Sequence, residues 1–303
     1  MKGKPFLTIN FGAGSVRIAE FEELDGSALY LRDYRVIPLG MEGSIEARRP
    51  AALEKALQEA LGEGGFGSSK ANICAPGFQV FSKLVKFPPV DTSKVTQLIQ
   101  YEAQQNIPFP LEEVAWDYQI VGTSPKGELE TLLVAIKTDL VEGLFKVCED
   151  SGLGLDVVDV SPAALANSFR YNYGDVEGAS MVLDIGAKTS NVIICEGDKF
   201  YTRSVNIGAD NITRDFATEA KIRFPEAERL KIEQGFVGLG GAYAEPEDAN
   251  QAAISKIARQ VMTRLHLQVN QTIQFYTKQQ GGSEPTQVYL AGGGSSLPYT
   301  VEF

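Results

Sequence analysis

Histidine is almost missing from this chain of 303 residues; His266 is the single one. A histidine-based triad or metal cluster therefore has little to build from. His266 lies in a long helical run and reads as an ordinary helix-surface residue. Cysteine is nearly as scarce. Cys74, Cys148 and Cys195 are odd in number, follow no zinc spacing and sit among apolar or small residues. They read as buried, reduced thiols of a cytoplasmic protein. No apolar stretch approaches the roughly 20 residues that a membrane-spanning helix needs. The N-terminal "MKGKPFLTINFG" carries two lysines, but its apolar run is short and interrupted by glycine, unlike a signal peptide. Positive charge is in deficit as well: 28 Lys and Arg against 39 Asp and Glu leave a net charge of −11. The densest basic stretch, "EARRP" at 46–50, is balanced by Glu42 and Glu46. Nucleic-acid binding is excluded as the main task.

What is present is a globular composition, 44% hydrophobic and 22% charged, long enough for one large or two ordinary domains. Residues 6–11 and 15–21 read as strands around "GAGS", with a third strand at 28–37. A helix is expected at 50–61 and a buried strand at 71–77. The character then changes. A loosely alternating strand at 79–87, a helix at 94–105, a hairpin over 115–121 and 131–136, and a helix at 139–151 form a block. It reads as self-contained and inserted into a larger domain. The expected divisions are 1–78 and 154–178 for a first lobe, 79–153 for the insertion, and 179–303 for a second lobe with a helical part at about 211–282.

The second lobe opens with "MVLDIGAKTSNVIICEG" at 181–197, and "FLTINFGAGSVRIAEFE" at 6–22 looks like a blurred copy of it. With Gly12 on Gly186, Asn10 meets Asp184 and Ser15 meets Thr189. A strand that ends in a carboxylate and a glycine, then folds back, leaves backbone N–H groups at the bend. Glycine lets that backbone approach a ligand, and consecutive N–H groups make a nest for phosphate. A carboxylate beside the nest can hold the waters of Mg²⁺. Two such hairpins facing each other would grip a triphosphate. "VYLAGGGSSLP" at 288–298 then delivers a triple glycine able to lie against a base or sugar. One glycine turn is weak evidence; a related pair followed by a strand and GGGS is not.

This duplicated order resembles the actin-like ATPase superfamily, an α/β two-lobed, ribonuclease H-like fold. The insertion after "ANICAPG" looks like the FtsA-type arrangement. The stretches "LDIGAKTSNVIICEGDKFYTRSVNIGADNITRDFA" and "VYLAGGGSSLP" are most similar to the PilM family of the type IV pilus inner-membrane platform. The resemblance implies that Gly12, Ala13, Gly14 and Ser15 form the first phosphate hairpin, with Arg17 where a lysine is common. It implies that Asp184, Gly186, Ala187, Lys188 and Thr189 form the second, with Gly208 in the turn that follows. "AERLKIEQG" at 227–235 is similar to a segment in which Glu228 would bond ribose and Lys231 would pack near the base. The residue-level alternative is a solvated helix face with an i,i+3 charge pair. Gly292, Gly293, Gly294 and Ser295 would form the adenosine loop. ATP and Mg²⁺ are the implied ligands, the metal held through water by Asp184 and the residue at position 10.

The sequence departs from the pattern in three places. The metal-side aspartate of the first hairpin is Asn10, neutral and a poorer partner for a hard cation. The water-orienting Glu or Gln before "PAALA" is Ser161, with Asp159 as the nearby carboxylate that could substitute. The chain ends at "SSLPYTVEF" where relatives continue, so a fragment or trimmed chain is expected. Phosphoryl transfer depends on positioning and charge stabilisation, so binding is expected to outlast hydrolysis. The reading is an ATP-binding scaffold of the pilus platform with weak or absent turnover. It would dock the cytoplasmic N-terminal tail of a PilN-like bitopic membrane protein, beside other platform proteins, and sit in the cytoplasm at the inner membrane without spanning it. Two alternatives stand: an FtsA-like division protein, which would want an amphipathic anchor helix, and an actin-fold small-molecule kinase, whose acceptor motifs are not visible.

Overall fold

The computed structural model of the chain describes residues 4–25, 28–88, 92–124, 127–197, 199–240 and 246–303. Parts of three segments that the sequence marks as a stop, a turn and a loop, "FPPVD" at 87–91, "GTSPKGE" at 122–128 and 235–246, lie outside them. The chain divides into two compact units, 1–168 and 169–303.

In the first unit, β1 (Phe6–Phe11), β2 (Ser15–Glu23) and β3 (Leu29–Pro38) form an antiparallel meander. Period-two alternation buries Leu7, Ile9 and Phe11 on one face and turns Thr8 and Asn10 to the other. α1 (Arg49–Gly62) starts with Pro50 in its first turn, where a missing N–H breaks no helical bond. It buries Leu53, Ala56, Leu57 and Ala60 against that first face. β4 (Lys70–Ala75) returns parallel to β1. The chain then leaves this sheet. β5 (Val80–Phe87), α2 (Thr92–Asn106), β6 (Val114–Thr123) and β7 (Leu129–Lys137) build a separate three-stranded sheet of order β5-β7-β6. Ile99 and Ala103 of α2 pack there with Val85, Phe87, Leu133 and Ala135.

α3 (Thr138–Asp150) closes the block expected at 79–153, yet its buried Leu144, Val147 and Cys148 join the core of the first sheet and α1. β8 (Gly154–Val160) pairs parallel with β4 and completes the order β3-β2-β1-β4-β8. α4 (Ser161–Tyr173) follows, and the division between the units falls within it.

The second unit repeats the plan. β9 (Ala179–Ile185), β10 (Ser190–Glu196) and β11 (Lys199–Val205) form a second antiparallel meander. Three helices follow: α5 (Ala209–Ala220), α6 (Phe224–Gln234) and α7 (Ala249–Phe275). Residues 225–279, which read as mostly helical around a Gly/Ala/Pro-rich loop at 235–246, hold α6, α7 and a π-helical turn at Tyr276–Gln280. β12 (Gln287–Ala291) pairs parallel with β9 and gives the order β11-β10-β9-β12. That is the order β3-β2-β1-β4 again, the topological form of the blurred repeat. Met262, Leu265 and Val269 of α7 pack against Met181, Val192 and Ile194 of the sheet. His266 lies on the exposed side of α7, within 2.9 Å of Asn270 Nδ2. Cys148 and Cys195 are buried, Cys74 is half-buried, and none of the three is in a disulfide.

Candidate functional site

The first hairpin turns at Gly12–Gly14, between β1 and β2. A Cβ on Gly12 would stand 2.9 Å from the Ser15 carbonyl oxygen, so glycine is required there. The segment 39–49 lies behind the turn and holds its carbonyls. Leu39 N–H donates to Gly14 O at 2.9 Å. A Cβ on Gly43 would meet Ala13 O at 2.1 Å, so Gly43 lets the two backbones touch. Arg49 Nη1 donates to Gly12 O at 3.0 Å and to Gly43 O at 2.7 Å, and Nη2 donates to Phe11 O at 2.7 Å. Its guanidinium stacks 5.2 Å from the Phe78 ring centre. Burial lowers its pKa to about 10, which leaves it charged at neutral pH. Sequence reasoning missed Arg49; its one signal was an arginine just before the helix-starting Pro50.

The second hairpin, Gly186 to Thr189, is backed differently. The first amides of α5 cap it: Ala209 N–H donates to Gly186 O and Asp210 N–H to Ala187 O, both at 2.9 Å. Gly208 makes this possible, since a Cβ there would come within 2.3 Å of Ala187 O. Gly186 N–H closes the turn on Thr189 O at 3.0 Å, Thr189 is buried and Lys188 is exposed. Asp184, the next-to-last residue of β9, lies opposite Asn191, whose Nδ2 donates to Asp184 Oδ2 at 2.9 Å. Ser204 Oγ in turn donates to Asn191 Oδ1 at 2.6 Å. That bond fixes the amide with its NH₂ toward the carboxylate.

The triple glycine lies against the same carboxylate. Ala291 pairs with Asp184, and Gly292 then bends at φ +82°. A Cβ on Gly292 would sit 2.5 Å from Asp184 Oδ1, and one on Gly294 2.5 Å from Ile185 Cγ2. Gly293 and Gly294 lie in a short 3₁₀ turn, pinned by Ser295 Oγ donating to Gly292 O at 2.7 Å. Glu228 and Lys231 form their i,i+3 pair at 2.7 Å on α6, but Lys231 is buried. Its ammonium also donates to Thr213 Oγ1 at 2.8 Å and to Ala209 O at 3.4 Å. This is a lysine anchored between α5 and α6, not a solvated face.

In the first unit, Arg17, Asn10, Cys74 and Asp159 form one row across β2, β1, β4 and β8. They line an open-faced cavity of about 600 Å³ with Thr8, Ala19 and Asn72 among others. Asp159 therefore shares a face with Asn10. Burial pushes its carboxyl above the usual range, partly opposed by the Val160 N–H at 2.7 Å. Ser161 is the first residue of α4.

A family model described as type IV pilus assembly protein PilM matches residues 8–302. The chain belongs to the PilM family. Its backbone superposes on the solved PilM-PilN type IV pilus biogenesis complex with a TM-score of 0.77, 23% identity, and coverage of 95% of this chain and 81% of that one. MreB 5 of Spiroplasma citri bound to AMPPNP gives a TM-score of 0.52 at 12% identity, covering 99% and 87%. The fold is thus actin-like. Among curated proteins, the cell division protein FtsA of Agrobacterium fabrum is 27% identical over 139 residues, 41% of this chain and 31% of that protein. The match spans less than a third of that relative's length.

Proposed function

We propose that this PilM-family chain is an ATP-binding scaffold of type IV pilus assembly, with ATP as a structural ligand and hydrolysis weak or absent. The observation that carries the reading is the backing of the two glycine hairpins. In each, carbonyls of the turn are bonded from behind, by the 39–49 segment or by the start of α5. The opposite side of each turn is left to N–H groups, the polarity a phosphate needs. The solved MreB 5 relative holds AMPPNP, which supports the same ligand class here. Gly292 to Ser295, Glu228 and Lys231 would serve the adenosine, and Arg17 and Lys188 would add positive charge near the phosphates.

Mg²⁺ fits in one way only. Among the described residues, no group of three or more His, Cys, Asp or Glu could hold a metal. Asp184 belongs to no such group, so the ion would enter with the phosphates and keep its waters. Asp184 would bond those waters, and Asn10 offers a neutral amide. Position 161 supplies a serine hydroxyl where a water-orienting carboxylate or amide is expected. Loss of one group acting in the transition state typically costs ~10²–10³ in rate.

The partner is a PilN-like membrane protein, through its cytoplasmic N-terminal tail. The solved PilM-PilN complex supports this. We place the docking surface on the β5–β7 module, which has its own core and lies outside every glycine motif. Calorimetry tests the nucleotide: MgATP should bind the wild type, and Asp184→Ala should abolish binding. Phosphate release then tests turnover in the wild type, Asn10→Asp, Ser161→Glu and the double variant. Near-background wild-type release with gain in the double variant is expected; brisk wild-type release refutes the scaffold reading.

A further inference from the structure

Arg49 is 4% exposed and, among the described residues, forms no ion pair with a carboxylate. A buried charge of that kind is costly unless hydrogen bonds replace its water. Here three carbonyl oxygens do so: Phe11 O at the end of β1, Gly12 O in the first glycine turn and Gly43 O behind it. We propose that Arg49 is the positioning residue of that turn: it pulls the Phe11 and Gly12 carbonyls inward, aims the amides that follow at a bound phosphate, and sets a full positive charge behind them.

The geometry follows from peptide planarity. Every described peptide is trans, so each C=O points opposite to the N–H of the next residue. Gly12 O faces the guanidinium, so the Ala13 N–H faces away from it. Ala13 O abuts Gly43, and Gly14 O accepts from Leu39 N–H. The Gly14 and Ser15 N–H groups therefore also point away from the 39–49 segment. The second hairpin meets the same requirement with two amides at the start of α5, where the helix dipole amounts to roughly half a positive charge. One guanidinium does for the first hairpin what a helix start does for the second. Arg49 also fixes Gly43, so one side chain ties the strand end, the turn and the 3₁₀ segment Gly40–Ser44 together.

This inference rests on reading the hairpin as a phosphate turn, and the experiment separates the two. Arg49→Lys and Arg49→Ala are made in the full chain. Hydrogen exchange at the Leu39 amide, bonded to Gly14 O, reads hairpin order without nucleotide; amides of β4 serve as the global control. Calorimetry reads MgATP. Both variants should exchange faster at Leu39 with β4 unchanged, and both should lose roughly tenfold or more in affinity, because a methyl group holds no carbonyl and a single ammonium cannot span three. Millimolar guanidinium ion should recover most of the Arg49→Ala loss and leave the wild type unchanged. Exchange and affinity within twofold of wild type in both variants would overturn the proposal. So would exchange rising equally in β4 with no rescue, which marks a mere core residue. If wild type binds no MgATP, the nucleotide reading fails alone, and exchange at Leu39 still decides the positioning role.

Discussion

Arg48 reaches outward to Glu42 at 3.8 Å, an exposed pair worth ~0–1 kcal/mol. Its neighbour Arg49 turns inward and holds three carbonyls. Sequence shows two adjacent arginines in an otherwise acidic chain and no means of telling them apart, because the difference lies in where distant carbonyls point. Asn191 is a similar case. Register makes Asp184–Asn191–Ser204 one row across β9, β10 and β11, but only the fold brings β11 beside β10. We expect Asn191→Leu to lower the ratio of ATP affinities with and without Mg²⁺ by about tenfold or more, as lost support behind a metal-side ligand does. Equal loss in both conditions would reduce Asn191 to a packing role. Glu196 titrates. Burial raises its carboxyl, but hydrogen bonds from Ser283 and Tyr276 and the nearby Lys199 outweigh that, so it lies below its ordinary value. The native state thus favours the ionised form. Its stabilisation holds above the unfolded carboxyl pKa and fades as pH falls through the folded one. Urea midpoints of wild type and Glu196→Gln should differ most at pH 7 and converge below about pH 4.

At the scale of elements, alternation and turn glycines made the strands legible, because each strand has one buried face to declare itself. The candidate turns were legible for another reason: glycine stands where a Cβ would meet backbone, at Gly12, Gly208 and Gly292. Gly208→Ala should cost about 1–3 kcal/mol in urea unfolding, since α5 must move off Ala187 O to admit the methyl group. A negligible cost would mean that α5 does not clamp the hairpin. Which core a helix joins was not legible. The apolar face of α3 reads clearly in sequence, but a face does not name its partner. Leu144, Val147 and Cys148 pack with α1 and the five-stranded sheet. Burying such side chains is worth roughly 1.5–3 kcal/mol each. Replacing 80–137 with a short linker should therefore leave the rest folded and still binding MgATP, while replacing 79–153 should not. If the smaller replacement keeps full affinity for the partner's tail peptide, the docking surface lies elsewhere.

For the molecule as a whole, each unit carries its own core, and among the described residues no helix is long and apolar enough to cross a membrane. A ligand that binds only the folded chain stabilises it, by about 2.7 kcal/mol at a hundred times its dissociation constant. MgATP in that excess should raise the melting temperature of the wild type and leave Asp184→Ala unmoved. The β5–β7 module can be followed apart from everything else. Trp116 is the sole tryptophan, and it packs at the edge of that module's core. Nine of the eleven tyrosines lie outside residues 79–137, Tyr101 and Tyr118 being the others. Excitation at the red edge of the absorption band would therefore address one module by light alone, with no label introduced. Emission from that indole becomes an optical gauge of the inserted module, while far-ultraviolet dichroism tracks the whole backbone. Where the two melting curves part, the module unfolds on its own; where they coincide, the insertion has become part of a single cooperative molecule.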